Sequence, residues 1–110
     1  MVKPISLSNR RATVRYRCAP ATIGKVISSE DQDLQIACIV DLSLTGIGMQ
    51  VPRAIAAGRL ILVAIKSMDG TRTFELSAKV VHCSSVPHDE WYLGCRLTTT
   101  LTPDDLDSLL

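Results

Sequence analysis

Aromatic side chains are scarce in this chain: one Phe, one Trp and two Tyr. Barrels that bind single-stranded nucleic acid stack successive bases on several exposed rings. Trp91 and Phe74 fall on strand faces expected to point inward, which leaves only Tyr16 and Tyr92 for such a platform. No DNA or RNA partner is therefore expected, and a small nucleic-acid-binding barrel is the weakest of the readings considered.

Long apolar runs are also missing. None approaches the about 18 residues of a membrane-spanning helix, so no membrane span is expected. The opening, Met1 to Ser8, has one lysine and no apolar core and does not read as a secretory signal. The expected location is cytoplasmic. The four cysteines, Cys18, Cys38, Cys83 and Cys95, form no Cys-x-x-Cys pair, so no metal site is expected. In a reducing compartment they read as small buried hydrophobes rather than disulfides.

Recognisable catalytic signatures are absent as well. There is no Walker-type phosphate loop and no nucleophile elbow. His82 and His88 lie in no catalytic motif, and His82 beside Cys83 reads as a strand residue rather than half of a dyad. No enzymatic activity and no catalytic residue are expected.

What remains is a chain of 110 residues, 46% hydrophobic, with a formal net charge of +1. That length suits one domain, 1–110, able to bury about 60–70% of its unfolded surface without a metal or disulfide staple. The near-neutral charge hides an asymmetry. Residues 1–20 carry Lys3, Arg10, Arg11, Arg15 and Arg17 with no acid, while Asp104, Asp105 and Asp107 sit in the last ten residues with no base. A basic arm on a near-neutral body suits a small anion better than a long polyanion.

Past Pro20 the pattern is one of short strands. Ala21–Ser28, Leu34–Val40, Gly46–Val51, Arg59–Met68, Thr71–Ser84 and Trp91–Thr98 each carry β-branched or alternating apolar residues bounded by turn residues. Asp69-Gly70 is the strongest hairpin signal. Arg53–Ala57 suggests a short helical turn stopped by Gly58. Six strands with short turns and no long helix between them imply an all-β fold, a small antiparallel barrel over 21–101. The tail, 102–110, reads as a short helix: Thr102 as N-cap, Pro103 at the first helical position, Asp104 and Asp105 at the positive end of the dipole. Residues 1–20 form the basic arm, expected to be flexible.

One stretch stands out. Asp41-Leu42-Ser43-Leu44-Thr45-Gly46 joins two apolar strands through a polar elbow, and Gly48 comes closely after. Glycine permits close backbone approach to a ligand, and Asp41 and Ser43, two apart, share one face of extended chain. Upstream, Arg11 and Arg15 form Arg-x-x-x-Arg. Arginine's planar fork matches phosphate oxygens and the O6/N7 edge of guanine bidentately.

Arg-x-x-x-Arg, then Asp-x-Ser-x-x-Gly about 30 residues later, then an all-β pattern, together resemble the PilZ family of cyclic di-GMP receptors, over roughly residues 8 to 101. The resemblance implies a PilZ-like split barrel of six strands and a non-catalytic receptor that binds cyclic di-GMP. Arg11 and Arg15 would contact phosphate and guanine, Asp41 and Ser43 a guanine, with Gly46 and Gly48 allowing close approach. Gly94 resembles the family's late Gly-x-x-apolar strand, although Leu97 stands where an aromatic is commoner. Arg10, just before the arginine pair, implies two stacked cyclic di-GMP molecules per chain. The ligand would order the arm and so signal to a downstream protein partner. The alternative is a protein-interaction adaptor of the same fold that binds no nucleotide.

Overall fold

Alternation along the chain becomes strands wherever it was expected, and closure of the sheet decides which face is inside. The computed structural model describes residues 14–110. Its elements are β1 (Tyr16–Arg17), β2 (Ile23–Ser28), β3 (Leu34–Leu42), β4 (Gly46–Val51), β5 (Leu60–Lys66), β6 (Thr73–Val86), β7 (Glu90–Leu97) and α1 (Pro103–Leu109). All pairings are antiparallel, in the order β1-β3-β2-β5-β6-β7-β4, and β4 returns to pair with β3. Strands β2 to β7 thus close a six-stranded barrel, which leaves no open edge among them. β1 adds two residues at the end of β3, Tyr16 opposite Leu42 and Arg17 opposite Asp41.

Inside, Val26, Ile39, Leu42, Ile47, Met49, Ile61, Val63, Ile65, Val80 and Leu93 are almost fully buried. On β6, Phe74, expected to point inward, is buried with Ala78 and Val80, and Leu76 packs partly against the core. Trp91 does the same from β7. α1 is capped as its sequence suggests, with the Asp105 N–H donating to Thr102 Oγ1 at 3.0 Å. Seven residues are too few to hold a helix in water. Leu106 and Leu109 anchor it by burial against the core, and the Met68 N–H donates to the Ser108 carbonyl.

Three local features differ from simple pattern reading. Leu34, Ile36, Cys38 and Val40 do share a face of β3, but it is the outer one; Gln35, Ala37 and Ile39 point inward. With Ile23 of β2 and Leu60 and Leu62 of β5, that outer face keeps a run of half-exposed apolar side chains. β5 is central and apolar on both faces, yet only one face is covered. Finally, 53–57 forms no helical turn. The buried Gln35 side chain takes both backbone groups of Arg53, accepting from its N–H at 2.8 Å and donating to its carbonyl at 3.2 Å. The groups a helical turn would use are thereby spent, and Ile55 is buried against the barrel instead.

Two β-bulges interrupt the regular pairing of the barrel. On β3, Ile39 pairs with Met49 but Asp41 pairs with Gly48, so Val40 is an extra residue. On β6, Val80 pairs with Cys95 but His82 pairs with Gly94, so Val81 is extra. Each bulge switches the side chain after it from the inner face to the outer one.

Candidate functional site

The register places four residues in a row across the outer wall. Asp41 of β3 faces Gly48 of β4, Gly48 faces Gly94 of β7, and Gly94 faces His82 of β6. The two bulges supply the ends of this row and two facing glycines its floor. Neither glycine has a left-handed φ, so conformation does not call for them; space does. A Cβ on Gly48 would run into the Tyr92 hydroxyl and stand 2.9 Å from Asp41 Oδ1. A Cβ on Gly94 would run into the His82 ring, 2.9 Å from both its nitrogens.

Asp41 is only 7% exposed. Its Oδ1 accepts a charge-assisted hydrogen bond from Arg15 Nη1, and this ion pair joins the arm to the elbow. A carboxylate kept this dry needs such a partner. Arg15 remains substantially exposed. Its Nη2 and Ser43 Oγ both lie 3.4 Å from the point where a Gly46 Cβ would stand, and the Cys95 carbonyl oxygen is 3.2 Å from that point. Arg15, Asp41, Ser43 and Gly46 are therefore brought together.

Ser43 also builds the turn. Its N–H donates to the Gly46 carbonyl at 2.9 Å and its Oγ accepts from the Thr45 N–H at 3.3 Å. The tip is tied down by Leu97 N–H to the Thr45 carbonyl and Leu101 N–H to the Leu44 carbonyl, both 2.8 Å. The elbow is thus a rigid platform, its backbone groups satisfied from three directions.

Cations border the row. Arg17 stands opposite Asp41, and the next row runs Gly46, Arg96, Lys79. The wall around the glycine floor therefore combines one carboxylate with guanidinium and ammonium groups, a surface suited to an anion that also presents hydrogen-bond donors. Arg10 and Arg11, singled out in the sequence, lie outside the described residues. Among the described residues no group of three or more His, Cys, Asp or Glu could hold a metal ion. No described helix is long and apolar enough to cross a membrane, a statement that leaves β-barrels aside.

Sequence reasoning named Gly48 and Gly94 but missed why they belong together, and it set His82 aside as a strand residue. The parity of Tyr92 with Gly94 was readable. The position of His82 was not, because the bulge at Val81 is visible only in the register. Burial pushes the Tyr92 hydroxyl pKa up, with the Asp41 charge adding to it.

Comparison with known proteins agrees with this architecture. No curated protein matches the chain in sequence. Among solved structures, the PilZ domain of YcgR from Escherichia coli, determined with c-di-GMP, superposes with a TM-score of 0.68 at 18% identity, covering 91% of this chain and 86% of that one. YcgR from Escherichia coli in complex with c-di-GMP gives a TM-score of 0.58 at 21% identity, covering 91% of this chain and 42% of that longer one. The family model described as the PilZ domain matches residues 9–110, nearly the whole sequence, and the chain belongs to the PilZ domain family.

Proposed function

We propose that this domain is a non-catalytic receptor for cyclic di-GMP, acting in the bacterial cytoplasm. The observation that carries the reading is the meeting of Arg15 and Asp41 above the Gly46–Gly48 strand, in a chain of the PilZ family whose structural neighbours were solved with c-di-GMP. Arg15 offers a fork to a phosphate or to the O6/N7 edge of guanine. Asp41 uses Oδ1 for Arg15, and its second oxygen remains for guanine N1–H and N2–H₂. Ser43 Oγ, which accepts from Thr45, still has a proton to donate. Gly46 keeps the space beside Arg15 and Ser43 free of a side chain of its own, and Gly48 and Gly94 make room for the side chains of Tyr92 and His82. Arg10 and Arg11 add further forks from the arm, and the ligand count proposed is two per chain. Ordering of the arm around the ligand changes the surface offered to a downstream protein.

Isothermal titration tests this. Cyclic di-GMP is expected to bind, and cyclic GMP, with one guanine and one phosphate, to bind far more weakly. Equal heats from the two, or none from cyclic di-GMP, would overturn the reading and leave a nucleotide-free adaptor of the same fold.

A further inference from the structure

Tyr92 and His82 cover the glycine floor, and neither has a role in the receptor reading so far. The Tyr92 hydroxyl end lies over Gly48 beside Asp41, and the His82 ring lies over Gly94. The two rings face each other with centroids 5.7 Å apart and planes inclined by 32°. Facing glycines in the middle of a sheet forfeit a cross-strand side-chain pair and weaken the strands. Here the vacated volume is taken by two rings rooted elsewhere, Tyr92 two residues before Gly94 and His82 across from it. The bulge at Val81 is what turns His82 outward to join them. The result is an aromatic wall in the same row as the Asp41 carboxylate.

We infer that Tyr92 and His82 are the base-stacking wall of this site: one purine ring stacks against them while its edge reaches Asp41. The inference rests on the cyclic di-GMP reading and adds a division of labour to it. Stacking on an aromatic face accepts any purine. Asp41 supplies the choice of guanine, because guanine presents N1–H and N2–H₂ where adenine presents an acceptor at N1. The rings thus add affinity for any purine, and the carboxylate adds the choice of base.

The test is titration of cyclic di-GMP into the unmodified protein and into Tyr92→Ala, Tyr92→Leu, Tyr92→Phe and His82→Ala, with thermal melting as the check on folding. Tyr92→Ala is expected to bind about tenfold more weakly and Tyr92→Leu similarly, while Tyr92→Phe, which keeps the ring face, stays within about twofold. The His82 imidazole proton resonances are expected to move upfield when ligand is added, a ring-current effect that a purely structural role would not produce. Unchanged affinity in both Tyr92→Leu and His82→Ala overturns the wall while the receptor reading stands. Equal losses in Tyr92→Phe and Tyr92→Ala also overturn it, because the contact would then belong to the hydroxyl. An unmodified protein that takes up no cyclic di-GMP overturns the receptor reading itself, and the wall with it.

Discussion

Asp41 stands opposite Gly48 on the outer wall because Val40 is an extra residue between Ile39 and Asp41. By plain alternation Asp41 would share the face of Ile39, which is 2% exposed inside the barrel. A carboxylate there would have no cation and no water. The bulge turns it outward into the reach of Arg15, so one irregularity in backbone pairing creates the site's single anionic group.

This pairing makes the two partners unequal in stability. Arg15→Ala strands a nearly buried carboxylate and is expected to cost about 1–3 kcal/mol. Asp41→Ala strands a guanidinium that already reaches solvent and is expected to cost under about 1 kcal/mol. Both variants should bind cyclic di-GMP about tenfold to a hundredfold more weakly. Urea unfolding and calorimetry measure the two quantities separately. An Arg15→Ala protein as stable as the unmodified one would show that the ion pair adds nothing to the fold.

The glycines separate the other way. An alanine Cβ at Gly46 presses on the Cys95 carbonyl oxygen at 3.2 Å, which belongs to a strand locked into the sheet. Gly46→Ala is expected to cost about 1–3 kcal/mol of stability through overpacking. At Gly48 the nearest obstacle is the hydroxyl end of Tyr92, a side chain that can swing outward, with Asp41 Oδ1 next at 2.9 Å. Gly48→Ala should keep its melting temperature and lose ligand affinity. The opposite ranking in melting temperature would contradict the packing described for both positions.

Local features of the fold were legible in the sequence, and features that depend on closure or register were not. Strand positions, the β5–β6 hairpin and the Thr102 cap are written in alternation and turn residues, and they were readable. The elbow and the arginine pair were readable as motifs; Arg15 meets Asp41, and Arg11 lies outside the described residues. The inward face of β3 was not readable: Leu34 and Ile36 are more apolar than Gln35 and Ala37, yet closure of the barrel turns the smaller residues in. Nor was the His82–Gly94–Gly48–Asp41 row, because it depends on two one-residue register shifts that leave no mark in composition.

Acid stability offers a prediction away from the site. In the loop after β5, Asp69 Oδ1 accepts from the Thr71 N–H at 3.0 Å, Ser67 Oγ at 2.7 Å and Thr71 Oγ1 at 2.8 Å. Led by the Thr71 N–H, these bonds hold the carboxyl down at about 2 from its ordinary 3.8. The unfolded chain therefore takes up a proton first as pH falls. The stabilisation is complete above pH 3.8 and disappears as pH falls through about 2. Asp69→Asn should melt below the unmodified protein at neutral pH, with the gap closing across that window. A gap that is constant from neutral pH to about 2 would show that the charge on Asp69 is not what holds the loop.

The proposed number of ligands can be tested at Arg10, which precedes the Arg11–Arg15 pair in sequence. One cyclic di-GMP has two phosphates and two guanines, and the elbow with its two-arginine motif is enough to engage one such molecule. A second, stacked on the first, adds two more phosphates and further O6/N7 guanine edges, acceptors that need donors wherever they lose water. A third fork beside the first two supplies such a donor; an apolar side chain there would leave those oxygens unpaired. The expected stoichiometry is about two ligands per chain, falling toward one in Arg10→Leu, with thermal melting as the check that the variant stays folded. Calorimetry with a verified active protein concentration reads the ratio directly. A ratio near one in the unmodified protein would show that Arg10 does not set the number.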